Sequence, residues 1–190
     1  MRLVVGLGNP GRRYRGTRHN VGFEVVERLA RRWGARFRAE GKAEVAEAEF
    51  AGQPVVLAKP LTYMNVSGEA VQELVHRWDL DPRQVLVVYD DMDLPVGRVR
   101  VRARGSSGGH RGMGSVLEAL GTREVPRVRV GIGRPDQDAT DHVLSGFEPF
   151  ERAQVEEALE RAADAVEVAL REGLHRAMDR FNRKAVVAAG

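Results

Sequence analysis

Five consecutive apolar residues, Val85-Leu86-Val87-Val88-Tyr89, lie between Pro82 and a group of aspartates at Asp90, Asp91 and Asp93. So short and uninterrupted a run has no polar side to leave in water, which fits a strand buried on both faces. Such strands occupy the centre of sheets covered by helices on either side. A layered α/β architecture is therefore expected around Val85 to Tyr89. The aspartates then fall at the strand's C-terminal end, where open α/β sheets bind their ligands.

The rest of the chain supplies the other layers. Leu3 to Leu7 is a second short strand, and Asn20 to Trp33 carries Phe23, Val26, Ala30 and Trp33 at helical spacing. Val45 to Phe50 and Pro54 to Leu57, joined by Ala-Gly-Gln, form a hairpin, followed by a helix over Met64 to Trp78. Val96 to Ala103 alternates apolar and polar residues as a half-buried strand does; a helix from about Arg111 to Leu120 and a strand at Val128 to Ile132 follow. Two helices, Glu151 to Arg171 and Leu174 to Arg180, are separated by Gly173. This order implies one three-layer domain over residues 1–190, with a mixed, mostly parallel sheet flanked by helices. The tail after about residue 182 is expected to be mobile.

Composition narrows the classes. With 43% hydrophobic and 30% charged residues the chain can fold alone, and the absence of cysteine excludes a disulfide framework, a thiolate zinc site and a thiol nucleophile. No stretch approaches the ~20 apolar residues of a membrane span. The N-terminal apolar run ends at Gly6, too early for a signal peptide. A cytoplasmic protein without membrane association is expected. Net charge is only +3 with a pI near 9.7, so an anionic partner depends on how the charge is distributed.

Gly6-Leu7-Gly8-Asn9-Pro10-Gly11 follows a strand and spells the dinucleotide-binding pattern. In that fold the glycine loop opens directly into a helix whose N-terminus faces the pyrophosphate, whereas here Pro10 and the polar stretch Arg12 to Arg18 intervene. A nucleotide-dependent oxidoreductase therefore rests on the motif alone. The glycines are better explained by a sharp turn at the strand's end that presents Asn9 to a cleft.

Several motifs in order resemble the bacterial-type peptidyl-tRNA hydrolases: the glycine segment above, Tyr14, Thr17-Arg18-His19-Asn20-Val21-Gly22, Lys59 through Gly68, Asp90 through Pro95, and Gly108-Gly109-His110. The resemblance covers nearly the whole chain. It implies a mixed sheet between helices and a monomer with no obligate protein partner, no metal and no organic cofactor. The implied activity is hydrolysis of the ester joining a peptide to its tRNA, which recycles tRNA from stalled or aborted translation. The substrate would be held by its acceptor stem and CCA end.

By the same resemblance His19 is the base that activates water and Asp90 the carboxylate that orients it. Chemically this is sensible: a solvated imidazole titrates near ~6.5, and a neighbouring carboxylate favours the imidazolium that forms. Asn9 and Asn65 match cleft asparagines, whose amides offer both donor and acceptor to an ester and a water. Tyr14, Tyr63 and His110 fall among the residues expected to line or support the substrate site. Taken without the resemblance, Asn65 reads equally as a cap for the following helix, and the aspartates as a polar strand end or a magnesium site. Asp93, before Leu94-Pro95, reads as a turn former.

Arg98, Arg100, Arg102 and Arg104 occupy alternate positions. They fit either an edge strand protected by charge or a track for tRNA phosphates. Resemblance places Arg100 and Arg102 beside the cleft and Arg129 at the tRNA end, with Arg127 a weaker addition. Glu148, Glu151, Glu156, Glu157 and Glu160 gather in the C-terminal helical part, so segregated charge would hide a basic surface behind a small total. Two positions depart from the family pattern. Arg111 stands where an asparagine is usual, leaving a phosphate contact, a peptide carbonyl contact or a solvent-facing side chain as its roles. Tyr89 replaces a histidine, with little catalytic effect expected. A noncatalytic RNA-binding protein of the same fold is the alternative: it would keep the arginines without needing His19.

Overall fold

The computed structural model describes residues 1–134 and 139–183. Its elements run β1 (Arg2–Gly6), α1 (Val21–Trp33), β2 (Arg38–Glu40), β3 (Ala43–Phe50), β4 (Gln53–Pro60), α2 (Ser67–Arg77), β5 (Val85–Asp91), β6 (Val99–Arg102), α3 (Arg111–Leu120), β7 (Arg127–Gly131), α4 (Ala139–Val143), α5 (Arg152–Glu172) and α6 (Leu174–Phe181). The seven strands form one sheet in the order β2-β3-β4-β1-β5-β7-β6. Pairings among β4, β1, β5 and β7 are parallel, and the outer pairings are antiparallel. The sheet is mixed as expected, with its parallel part confined to the centre.

β5 lies between β1 and β7, and its residues from Val85 to Asp90 are all buried. Alternation sends its side chains to two cores. Leu86 and Val88 join α1, α5 and α6 on one face, while Val85, Val87 and Tyr89 join α2 and α3 on the other. At roughly 1.5–3 kcal/mol for each large apolar side chain taken from water, this double burial makes the central strands the firmest part of the molecule.

The opening glycines serve packing. A Cβ on Gly6 would sit 2.1 Å from the Gly22 carbonyl oxygen, and one on Gly22 would sit 2.4 Å from Val88 O and 2.6 Å from Leu7 N. The start of α1 is thereby pressed against the C-terminal ends of β1 and β5, which brings the segment preceding α1 over the sheet's ligand-binding edge. The β3–β4 turn is a two-residue hairpin in which Ala51 and Gly52 both have positive φ, a backbone that matches the twist of the strands it joins.

Some expectations are corrected. The expected helix from Met64 begins instead with a 3-10 turn, Met64–Val66, and α2 starts at Ser67 without a side-chain cap, so Asn65 caps nothing. β6 is shorter than the alternating segment around it because Gly97, with φ of 95°, belongs to a turn in which Arg98 N donates to Pro95 O. The short elements β2 and α4 carried no periodic signal. The C-terminal glutamates do not form a free acidic face: Arg28 and Arg32 of α1 pair with Glu156, Glu160, Asp164 and Glu167 of α5. Each exposed pair is worth about 0–1 kcal/mol, and together they strap α1 to α5. Asn182 closes α6 onto the sheet edge, its Oδ1 accepting from Val101 N and its Nδ2 donating to Val101 O. The tail expected to be mobile falls, from residue 184 on, outside the described residues.

Candidate active site

His19 lies in the 3-10 turn Arg18–Asn20 just before α1, and Asp90 near the C-terminal end of β5. The close packing of α1 on β1 and β5 brings them together: His19 Nδ1 is 2.7 Å from Asp90 Oδ2. On the other side of the carboxylate, His110 Nε2 stands 2.8 Å from Asp90 Oδ1. His110 also caps α3, its Nδ1 accepting from Met113 N at 3.0 Å. That contact decides the protons. A backbone N–H can only donate, so His110 Nδ1 carries a lone pair and Nε2 carries the hydrogen it gives to Asp90. Asp90, 2% exposed, is the acceptor for both rings. Burial alone would raise its carboxyl, but the hydrogen bonds and charge of His110 and His19 outweigh this and hold it well below the usual carboxylate range. Asp90 is therefore an anion, and His19 donates Nδ1–H to it. Nε2 of His19 is left with a lone pair and no protein partner among the described residues.

The glycine turn after β1 places Asn9 opposite. Asn9 N donates to Asn20 Oδ1 and Asn20 Nδ2 returns a bond to Asn9 O, both at 2.9 Å, locking the loop to the turn that carries His19. Asn9 Oδ1 accepts from Met64 N at 2.8 Å. Its amide NH2 is consequently the end left for the cleft. Asn65 follows on the same 3-10 turn, exposed and beside Tyr63, which is 66% exposed.

The cleft has two lobes. One, of about 260 Å³, runs from His19 past Asp90, Asp91 and His110 to Arg129. The other, of about 310 Å³, is bordered by Asn9, Asn65, Tyr63, Met64 and Leu144. His19, Arg111, Thr140 and Val143 border both. Arg129 reaches Asp91 Oδ2 at 3.0 Å, and Asp91 Oδ1 accepts from Asp93 N, so Asp91 forms the turn there while Asp93 pairs with Arg134. Tyr14 borders neither lobe; its ring lies 5.4 Å from the Arg13 guanidinium.

Arg100 stands directly across from Arg129 in the β6–β7 register, continuing the cationic strip from the cleft to the sheet edge, and Arg102 follows it. Burial first, and then Arg102, Arg129 and Arg98, lower the Arg100 guanidinium from its ordinary value, the mark of a crowded cationic group. Its Nε is buried without a partner among the described residues. Arg127 is not part of that surface. It is 2% exposed and donates to the carbonyls of Val125, Ser106 and Arg123. Its work is to tie the loops flanking α3. Arg98 reaches Asn182 O, and Arg104 lies 3.9 Å from Glu124.

Arg18 and Asn20 were not singled out from the sequence. Arg18, almost fully buried, donates to both carboxylate oxygens of Glu151, to Ser145 Oγ and to Ile132 O, and lies under the Phe147 ring at 4.8 Å. These partners are more than a hundred residues away, so no local pattern could reveal them. Tyr89 is buried with its ring 4.8 Å from that of His110, packing against it at the wall of the lobe that holds Asp90. Among the described residues, one group has the donor set for a metal, His19, Asp90 and His110, with ligand atoms within 4.8 Å of one another. His19 Nδ1, His110 Nε2 and both Asp90 oxygens are engaged in the two hydrogen bonds above, so the geometry is that of a proton network.

A buried anion flanked by two imidazoles, one with a free nitrogen in a cleft at the strand ends of an α/β sheet, defines a site of the general-base class. Similarity specifies the class. The sequence model of the family described as Peptidyl-tRNA hydrolase matches residues 3–188. The peptidyl-tRNA hydrolase of Chloroflexus aurantiacus is 55% identical over 186 residues, covering 96% of this chain and 99% of its own. That of Carboxydothermus hydrogenoformans is 50% identical over 185 residues. A crystal structure of peptidyl-tRNA hydrolase from Acinetobacter baumannii superposes with a TM-score of 0.91 at 31% identity, covering 96% of this chain and 94% of that one. The chain belongs to the peptidyl-tRNA hydrolase family.

Proposed function

We propose that this chain, a hydrolase of peptidyl-tRNA by family, cleaves the ester through water activated at His19 Nε2. The observation that carries this reading is the His19–Asp90–His110 network: it keeps the lone pair on the one imidazole nitrogen that faces open space. His19 takes a proton as water oxygen bonds to the ester carbonyl carbon, and Asp90 stabilises the imidazolium. The oxyanion that develops meets the Asn9 amide NH2, whose direction Met64 N fixes, and the Asn65 amide. Collapse breaks the bond to the ribose oxygen, which receives the proton from His19. Peptide acid and free tRNA leave.

The acyl group occupies the lobe with Asn9, Asn65 and Tyr63, and the CCA end occupies the lobe that leads to Arg129. Beyond it, Arg100 and Arg102 hold acceptor-stem phosphates by charge and shape without reading bases. Tyr14 contributes at the rim, outside both lobes. The protein acts as a monomeric single domain in the cytoplasm. Among the described residues no helix is long and apolar enough to cross a membrane.

The test is single-turnover release of tRNA from N-acetylaminoacyl-tRNA by the wild type and by His19→Ala, with tRNA affinity measured alongside. Loss of about a hundredfold or more in rate with affinity retained is the expected result. A His19→Ala rate within tenfold of wild type overturns the assigned base. Salt-sensitive binding with no turnover by the wild type overturns the catalytic reading.

A further inference from the structure

A charge without a counterion borders the point where the ester must lie. The two lobes of the cleft meet at His19, and a substrate with its acyl part in one and its ribose in the other must place the scissile carbonyl on their common wall. Arg111, the first residue of α3, forms that common wall together with His19, Thr140 and Val143. The other charged groups bordering the lobes are paired: Asp90 with His19 and His110, Asp91 with Arg129, and Asp93 with Arg134. Arg111 has no hydrogen bond or ion pair among the described residues, and its side chain is exposed to the cleft. An unpaired cation here is not required by the fold.

We propose that Arg111 acts as a charge filter that turns away esters carrying a free α-ammonium. This rests on the hydrolase reading above and deepens it. In a peptidyl ester the α-nitrogen is a neutral amide; in an aminoacyl ester it is an ammonium two bonds from the carbonyl carbon. A substrate seated with its carbonyl beside His19 brings that nitrogen within several ångströms of the Arg111 guanidinium. Two like charges about 6 Å apart in a partly solvated cleft disfavour binding by roughly tenfold, within a span of about three- to a hundredfold as the effective dielectric falls from water's to a protein surface's. The neutral amide meets no such penalty, so the cation selects the blocked nitrogen without contacting it. Attraction of tRNA phosphate by Arg111 would favour both esters alike, and so leaves no trace in their ratio.

The measurement is kcat/KM for N-acetylphenylalanyl-tRNA and for phenylalanyl-tRNA, with Arg111→Lys, Arg111→Gln and Arg111→Glu beside the wild type. The preference for the acetylated ester should persist with lysine, fall roughly tenfold with glutamine and fall further with glutamate. It should also fade in the wild type as pH rises past the substrate ammonium's titration near ~7–8, and stay flatter in the glutamine variant. The titratable and charged groups around the site, His19, Asp90, Asp91, Asp93, His110 and Arg129, are the same in the wild type and in each Arg111 variant, so their effect on the ratio cancels when the two proteins are compared. An unchanged ratio in the glutamine and glutamate variants overturns the proposal, including the case in which neither cleaves phenylalanyl-tRNA measurably or both substrates weaken together. Failure of the wild type to cleave the acetylated ester would instead overturn the hydrolase reading.

Discussion

Replacing Asp90 by asparagine tests the proton network at its most constrained point. Asp90 accepts from His110 Nε2 at 2.8 Å and from His19 Nδ1 at 2.7 Å. His110 cannot give way, because Met113 N holds its Nδ1 as an acceptor. Asparagine offers one acceptor and one donor, so its oxygen must turn to His110 and its NH2 to His19. His19 Nδ1 then becomes an acceptor and the ring proton moves to Nε2, where the base needs its lone pair. The opposite amide orientation sets two donors against each other in a buried site, at a cost of about 1–3 kcal/mol, a bias of roughly 5- to 150-fold. Loss of the base and of the carboxylate's charge should lower kcat about a thousandfold, or ~4 kcal/mol, while folding is nearly unaffected. Adding His110→Ala removes the opposing donor and lets the asparagine oxygen turn to His19. The double variant should therefore release tRNA roughly 10- to 100-fold faster than Asp90→Asn alone, even though His110→Ala slows the wild type. Single-turnover release of tRNA measures the rates, and ring ¹⁵N shifts of His19 report the tautomer. A double variant no faster than the single one, or His19 in Asp90→Asn with its proton still on Nδ1, refutes the reasoning.

Other perturbations separate the remaining roles. In Asn9→Asp one carboxylate oxygen still accepts from Met64 N while the other presents lone pairs to the ester, so kcat should fall about a hundredfold or more with the melting curve unchanged; normal turnover would remove Asn9 from oxyanion binding. Arg100→Ala and Arg102→Ala should each weaken tRNA binding and reduce the salt slope by about one, measured by fluorescence titration at several ionic strengths. Arg127→Ala should instead destabilise the protein, because three backbone carbonyls lose their donor at about 1–3 kcal/mol for each left unsatisfied. For Glu151, burial pulls the carboxyl upward, but the hydrogen bonds from Arg18 and Glu148 N hold it below the ordinary range. A lowered folded value means the stabilisation is present above the unfolded titration near ~4.3 and is lost as pH falls through the folded one. Calorimetry should accordingly find Glu151→Gln melting roughly 2–8 °C lower than wild type at pH 7, from a loss of about 1–2 kcal/mol, with the gap closing below about pH 4.

What the sequence disclosed follows from the range of the forces involved. The central strand was legible because five apolar residues in a row leave no solvated face, and α3 was legible to its ends because Gly-Gly-His precedes it and Gly121 follows. β2 was hidden because Arg38, Ala39 and Glu40 pair at an exposed sheet edge, where no apolar alternation is needed. Asp90 could be placed at a strand end from pattern, but its pairing with His19, 71 residues earlier, depends on the close packing of Gly22 against β1 and β5. Arg127 and Arg100 look alike in sequence and differ entirely in fate. One is covered by loops from either side of α3, the other left on the open strip, and burial of that kind is set by contacts no window of residues contains. The capping role open to Asn65 failed because the helix starts three residues later than the segment from Met64 suggests.

Two polar groups around the reacting position, His110 and Asn9, are each aimed by a backbone N–H that belongs to another element. Met113 N, in the first turn of α3, sets the tautomer of His110 and through Asp90 that of His19. Met64 N, in the turn before α2, sets which end of Asn9 faces the cleft. Backbone donors cannot titrate, rotate or exchange donor for acceptor, so the orientations they impose cost no reorganisation when charge develops on the ester. The side chains left without such guidance are Arg111, Tyr63 and the Asn65 amide, all on the exposed rim. Chemistry is thus fixed where the sheet and two helix starts converge, while the groups free to vary sit where they meet the differing parts of the substrate. Substitutions at Arg111 or Tyr63 should therefore alter which ester is accepted, and substitutions at Asp90, His110, Asn9 or Asn65 should alter the rate for every ester alike.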